Sequence, residues 1–395
     1  MKLNTLEQKI ISILEPLPIK NNHWEATGIF ERSQIWINEA VMGSWRALRR
    51  QEPMNWDPWI LKDGDVYRLF YLRGTPGCTP WWAVAKICGA ISTDMKHWQD
   101  LGTIIEPEPA NHWESGRMCA GCIYKENDIY YLFYSASPRE GIDYNTEAIG
   151  LATSVDGLHF SRYLNNYLLK PKDDEPWYGR CNGKDHFHWR DPYIFKDAKT
   201  GRYYMFICAS ARIPSNFPGC MRLAVADKIT EPYKILPPAV KIPIARAEDW
   251  PYYHMERPQV IYREGKYHLF FSCFKYLMNP RWLKKVKEKR ITNSSLYWYV
   301  SDKVEGPYAL VNEDDYIVRG SEKPGMYGTN FLQVSTQPEK FVAYGWYHRL
   351  HSLAVSQAFK VNWKNTSNPL DFSGDGGFQQ PMDLGSLEIL LSKGD

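Results

Sequence analysis

No sign of charge dominates this chain. It carries 48 Lys and Arg against 45 Asp and Glu, a net of +3 over 395 residues. So small an imbalance supplies neither the basic face that nucleic acid or an anionic membrane needs nor an acidic tail. Long apolar runs are missing too, and none approaches the roughly 20 residues that span a bilayer. Cysteine is sparse: Cys78, Cys88, Cys119, Cys122, Cys181, Cys208, Cys220 and Cys273 are all there are. That density does not suit a disulfide scaffold. The one local pair, Cys119 and Cys122, lacks the second Cys or His pair that a zinc site uses. There is no Ser–His–Asp signature, no phosphate-cradling glycine loop and no dinucleotide fingerprint. The first 17 residues do not read as a secretory signal, because Glu7, Gln8 and Lys9 break the apolar stretch and no small-residue cleavage site follows. They read as a short amphipathic helix with Leu6, Ile10, Ile11 and Leu14 on one face, ended by Pro16. The expectation is a cytoplasmic protein with reduced thiols, no cofactor, no metal ligands, and neither nucleic acid nor membrane as a partner.

What the chain has in quantity is aromatic residues: 16 Trp, 26 Tyr and 16 Phe, 15% of the whole, with 27 Gly and 26 Pro to punctuate them. They recur in a pattern. Trp56 to Gly74 (WDPWILKDGDVYRLFYLRG), Gly121 to Ser137, Arg190 to Ser210 and Glu256 to Cys273 each read as an aromatic hairpin around a Gly, Asn or Asp turn. Thr329 to Tyr347 is a weaker fifth copy. After the first four copies comes a strand, an Asp-containing turn and a short closing strand, as in AISTDMKHWQDLG and LAVADKITEPYKIL. About five such four-stranded units, at roughly 60–70-residue spacing, predict an all-β fold, a five-bladed β-propeller with a short helical N-terminal cap. Residues 1–50 form that cap, and 51–395 form one catalytic propeller domain. The basic run Arg281–Arg290 reads as a solvated helix or loop inserted in the fourth blade.

Three blades begin with an acid: Asp57 in WDPW, Asp191 in RDPYIF and Glu256 in ERPQVI. In a propeller the first strand of each blade lines the central channel, so the three converge at its mouth. Converging carboxylates suit glycoside hydrolysis, in which one attacks the anomeric carbon or activates water and another protonates the leaving oxygen. A third can hold sugar hydroxyls and favour the oxocarbenium-like transition state. Arg190 and Arg257 offer clamps for hydroxyls. Trp56, Trp59, Trp113, Trp189 and Tyr253 offer flat faces for a sugar. His186 and His188 alternate without a third ligand and suit a neutral hydrogen-bonding role near Arg190.

At these residues the sequence resembles the five-bladed propeller glycosidases of families 32 and 68, the invertases, levansucrases and inulosucrases. Trp56–Trp59 resembles the nucleophile motif, which is WDSW in levansucrases and NDPN in invertases. Arg190–Pro192 matches the shared RDP motif. Glu256–Pro258 resembles the ERP acid/base motif of family 68. The resemblance implies Asp57 as nucleophile, Glu256 as acid/base and Asp191 as transition-state stabiliser. It also implies sucrose or a related β-fructoside as substrate, hydrolysed or used for fructosyl transfer with retention. Arg190 would bind substrate, Trp56 and Trp113 would wall the pocket, and Ser115 sits where the family has a Ser-Gly motif beside the sugar. Two departures stand out: Pro58 follows the nucleophile where levansucrases have Ser, and His254 replaces an acidic residue two before the acid/base. One rival is the inverting family 43 of arabinofuranosidases and xylosidases, in which the third motif is typically EGP, so that Arg257 speaks against it. The other is a non-catalytic sugar-binding propeller.

Overall fold

The computed structural model describes residues 55–361, apart from 75–83, 96, 139–146, 173, 180–187, 287–290, 294, 312–316, 319–325, 348–353 and 357. The expected N-terminal cap, the tail beyond residue 363, Cys78, Cys181 and His186 lie outside the described residues. Within them the protein is an all-β propeller. The first sheet runs β1 (Asn55–Asp63), β2 (Val66–Gly74), β3 (Ala85–Ser92) and β4 (Gln99–Ile105) in chain order. The second is β5 (Arg117–Glu126), β6 (Ile129–Ser137), β7 (Ala148–Ser154) and β8 (Ser161–Arg162). The third is β9 (Trp189–Lys196), β10 (Tyr203–Ser210), β11 (Gly219–Ala226) and β12 (Lys234–Leu236). The fourth is β13 (Glu256–Arg263), β14 (Lys266–Ser272), β15 (Leu296–Ser301) and β16 (Ala309–Leu310), with β17 (Ile317–Val318) also beside β15. The fifth holds β18 (Met326–Thr336), β19 (Glu339–Tyr347), β20 (Ala354–Val355) and β21 (Phe359–Val361).

Local chemistry makes these hairpins. Asn127 and Asp128 join β5 to β6, and Glu264 and Gly265 join β13 to β14. All four have positive φ, the backbone of the tight turn whose twist matches antiparallel strands. The aromatic runs then pack between sheets. Every residue of β10 and β11 is buried, and their Tyr, Phe, Met and Leu side chains form one large core with the second and fourth sheets. A second core joins the first, second and fifth sheets through Trp56, Trp59, Phe70, Leu132, Tyr134 and Trp346. The basic run opens as the helix α1 (Pro280–Lys285), capped by the Asn279 side chain, which accepts from the Arg281 N–H.

The inner strands β1, β5, β9, β13 and β18 lie side by side in that order, and β18 returns to β1. Their pairing shifts at one shared level: between Trp56 and Trp59, Cys119 and Gly121, Arg190 and Tyr193, Glu256 and Gln259, and Tyr327 and Asn330. A bulge unpairs a residue and re-aims its side chain, and proline is tolerated there because no ladder N–H is needed. Pro58, Pro192 and Pro258 occupy those places. Gly121 marks the tightest approach: a Cβ there would lie 1.8 Å from the Phe133 carbonyl oxygen on β6. That oxygen belongs to backbone that cannot yield. Gly121→Ala is therefore expected to destabilise the fold by about 3 kcal/mol or more, read as a lowered midpoint in urea unfolding.

Candidate active site

Arg257 sits where the five inner strands meet. Its Nη2 donates to the Pro58 carbonyl at 2.5 Å on β1 and to Asn330 Oδ1 at 2.7 Å on β18. Its Nη1 donates to the Gly121 carbonyl at 3.3 Å on β5, and its backbone N–H to Asp191 Oδ2 at 3.0 Å on β9. The residue is 4% exposed, with its guanidinium 5.7 Å from the Trp59 ring centroid. Behind it the inner strands enclose a cavity of about 580 Å³ that includes Asp191 and Arg257 in its lining but neither Asp57 nor Glu256. Arg257 thus plugs the axis. Its Nη groups are directed at backbone and at Asn330, and its Nε faces Asp57 Oδ1 at 3.9 Å.

The bulges set the acids. Asp57, Asp191 and Arg257 occupy matching bulge positions with φ of 47°, 58° and 54°. In the fifth sheet Gly328 takes the place, at φ 61°. Glu256 stands one residue earlier, level with Trp56 and Arg190. Asp57 and Asp191 therefore share a level, and Glu256 stands one residue away from it. Holding non-glycine residues in the left-handed region costs on the order of 1–3 kcal/mol each, a cost concentrated at functional sites.

Asp57 Oδ1 accepts the Trp346 indole N–H at 2.8 Å and lies 3.9 Å from Arg257 Nε. Burial pushes the Asp57 carboxyl up to about 7; Arg257 and Trp346 pull it back while Asp191 and Glu256 add repulsion. Asp191 rises to about 6, again from burial first, with Arg190 and Arg257 opposing and Glu256 reinforcing. These mutual effects place the three carboxylates within electrostatic reach of one another.

Glu256 is held at both oxygens. Arg190 donates to Oε1 from Nη2 at 2.5 Å and from Nε at 3.2 Å. The Tyr327 hydroxyl donates to Oε2 at 2.6 Å, and His254 Nε2 lies 3.2 Å from the same oxygen. Burial, with help from Arg190, holds His254 well below the usual histidine range, so its ring is neutral. Arg190 Nη2 approaches His254 Nδ1 at 3.3 Å. A guanidinium cannot accept, so Nδ1 does, and the ring proton sits on Nε2 facing Glu256. Arg190 also reaches His188 Nδ1 at 2.6 Å and Glu147 Oε2 at 3.1 Å. Burial raises Glu147, but Arg190 and Arg117 outweigh it and hold the carboxyl below its usual range. Glu147 thus stays ionised and anchors Arg190.

Such a site has paired carboxylates in one desolvated mouth, the equipment for acid–base and nucleophilic attack at a glycosidic carbon. Comparison with known proteins agrees. The family model of glycosyl hydrolases family 43 matches residues 52–378. The chain belongs to that family. A levansucrase from Erwinia amylovora is 26% identical over 234 residues, 53% of this chain and 47% of that protein. The chain therefore spans about half the length of the curated relative it matches. An inulosucrase from Halalkalicoccus jeotgali bound to kestose superposes with a TM-score of 0.64 at 19% identity, over 87% of this chain and 90% of that one. A thermostable family-43 glycoside hydrolase gives a TM-score of 0.58 at 18% identity, over 83% and 96%. At such identities the structural likeness is one of fold. The chain's propeller is like that of families 32 and 68. Membership nonetheless falls to the family that Arg257 spoke against.

The other expected residues of this family 43 glycosidase divide. Arg190 touches Glu256, and Tyr253 packs its ring 5.0 Å from His188 and 5.8 Å from His254. Trp56 and Trp113 are 4% and 9% exposed and belong to the second core. Trp113 stacks on Tyr134 at 5.9 Å and 21°. Ser115 donates its hydroxyl to the His112 carbonyl at 2.9 Å and closes a 3-10 turn over His112–Glu114. The Cys119 and Cys122 thiols are free, and burial raises both to about 12. Among the described residues no group of His, Cys, Asp and Glu gathers to hold a metal. Trp346, Tyr327 and Glu147 were absent from the sequence-based site, since none stands in a motif.

The raised carboxyls have a consequence for stability. Their folded values, about 7 and about 6, lie above the model-compound 3.8, so the folded protein binds these protons more tightly than the unfolded chain. That contribution is complete below 3.8 and lost as pH rises through about 7. Asp191→Asn, neutral at every pH, should unfold about 2 °C or more above the parent at pH 8 and show no gain at pH 4, by calorimetry.

Proposed function

We propose that the five sheets are five blades of one propeller and that their shared mouth cleaves β-fructosides such as sucrose, by hydrolysis or by fructosyl transfer. Asp57 attacks the anomeric carbon through a lone pair of its carboxylate. The bond from that carbon to the leaving oxygen breaks, and the oxygen takes a proton from Glu256. Arg190 occupies Oε1 of Glu256 with two N–H groups, so Oε2 carries that proton, and while it does the Tyr327 hydroxyl, which can accept as well as donate, turns its own proton away. Water or an acceptor hydroxyl then gives its proton back to Glu256 and displaces Asp57. Asp191, fixed by the Arg257 N–H, faces the positive charge that develops on the sugar ring. The observation that carries the reading is the double hold on Glu256, which orients one oxygen for proton transfer. The RDP and ERP motifs and the levansucrase relative support the choice of sugar.

A second reading has the same acids in an inverting arabinofuranosidase or xylosidase, and family 43 membership supports it. There Asp57 activates water. Inverting enzymes hold their two carboxyls about 6.5–9.5 Å apart and retaining ones about 5–5.5 Å.

The test is incubation with sucrose, raffinose, and p-nitrophenyl arabinofuranoside and xyloside, with the anomer first released followed by NMR. Fructose released with retention is the expected result. Arabinose or xylose released with inversion would install the second reading. Binding without turnover of any of the four would make the protein a sugar-binding propeller. On the substrate that is turned over, Asp57→Asn and Glu256→Gln are each expected to lower kcat by about 1,000-fold or more while the circular dichroism stays that of the parent.

A further inference from the structure

The fifth sheet contributes no acid, yet it touches the site at its most sensitive atom. Trp346, on β19, donates its indole N–H to Asp57 Oδ1 at 2.8 Å. The ring cannot swing away. It is 4% exposed, pairs across the sheet with Tyr327 and Val355, and packs edge-on against Tyr327 at 5.6 Å and Phe274 at 6.5 Å. Tyr327 in turn stacks flat on Phe274, 3.6 Å between ring centroids. The approach is cleared by Gly328. A Cβ there would lie 3.0 Å from Trp346 Nε1 and 3.3 Å from Asp57 Oδ1, at a φ of 61° that side chains rarely adopt. Oδ1 is thereby enclosed by Trp346, Gly328 and Arg257. Oδ2 receives no hydrogen bond among the described residues.

We infer that Trp346 is a positioning residue that holds Asp57 by Oδ1 and so makes Oδ2 the attacking oxygen. The inference rests on Asp57 being the nucleophile. A carboxylate free to rotate offers two equivalent oxygens in many directions. One held at Oδ1 by an immobile donor presents a single lone-pair direction at the sugar, and alignment of that kind lowers a barrier without new contacts to substrate. The donor also favours the charged form, because an N–H bonds an ionised oxygen more strongly than a protonated one.

The test replaces the donor and keeps the ring. Trp346→Phe removes the N–H, and 3-benzothienylalanine at position 346 removes it with the indole outline intact. Both variants are assayed for kcat/KM against pH on sucrose and on p-nitrophenyl arabinofuranoside. Removing a bond to the ionised carboxylate raises its pKa. The acid limb is therefore expected to move about one unit to higher pH, with kcat/KM about tenfold lower on that limb. A role in packing alone would lower the whole profile evenly. If the benzothienyl enzyme keeps its acid limb within about 0.2 unit of the parent, the inference is overturned. Acid quench of the parent during sucrose turnover, with mass mapping of the peptides, separates the two possible failures. A hexosyl group on Asp57 with an unmoved limb removes the role of Trp346 alone. A hexosyl group elsewhere, or none, removes the reading of Asp57 as nucleophile.

Discussion

One guanidinium ties the inner strands together. Arg257 grows from β13; its guanidinium reaches acceptors on β1, β5 and β18, and its backbone N–H reaches Asp191 on β9. A buried charge is costly unless its surroundings satisfy it, and removing one partner from such an arrangement typically costs about 3–5 kcal/mol. Here the compensation comes from carbonyl dipoles, an amide oxygen and two nearby carboxylates. The same charge is then available to the site. It opposes the effect of burial on Asp57 and Asp191, which would otherwise be pushed further toward neutrality. Architecture and electrostatics are joined at a single side chain, one residue from Glu256.

A second hub lies off the axis. Arg190 links Glu256, Glu147, His188 and His254, and through Glu147 it reaches Arg117 on β5. Cation and anion alternate along this chain, so each charge has an opposite neighbour. Burial strips away the water that would otherwise screen them, which makes every member sensitive to the loss of another. The neutrality of His254 follows. Where related levansucrases place an acid, this chain has a ring that burial and Arg190 keep uncharged. Glu256 therefore faces a hydrogen-bond donor there, with no added negative charge.

Much of this was legible in the sequence and some was not. The blade hairpins announce themselves, because their turns need Asn, Asp or Gly and their faces need Tyr and Phe at alternate positions. Asp57 and Asp191 stand out because each precedes a proline at the head of an apolar strand. Arg257 shares that signature, but the letters of a motif do not say that its guanidinium bonds to three other inner strands. Nor does an aromatic beside an acid announce that its ring is stacked on Tyr134, as that of Trp113 is. Glu147 lies 43 residues before Arg190, in a stretch with no motif. Trp346 meets Asp57 across 289 residues. Only a closed ring of strands brings such positions together, and no local pattern encodes that distance.

The meeting of β1 with β18 and β19 has a temporal side. During synthesis the first sheet emerges early, complete with Asp57, while Tyr327 and Trp346 are among the last parts of the ring to appear. Until they arrive, Asp57 lacks its indole partner and Glu256 lacks its phenol. The seam between the first and fifth sheets thus joins the earliest-made acid of the site to one of its latest-made partners.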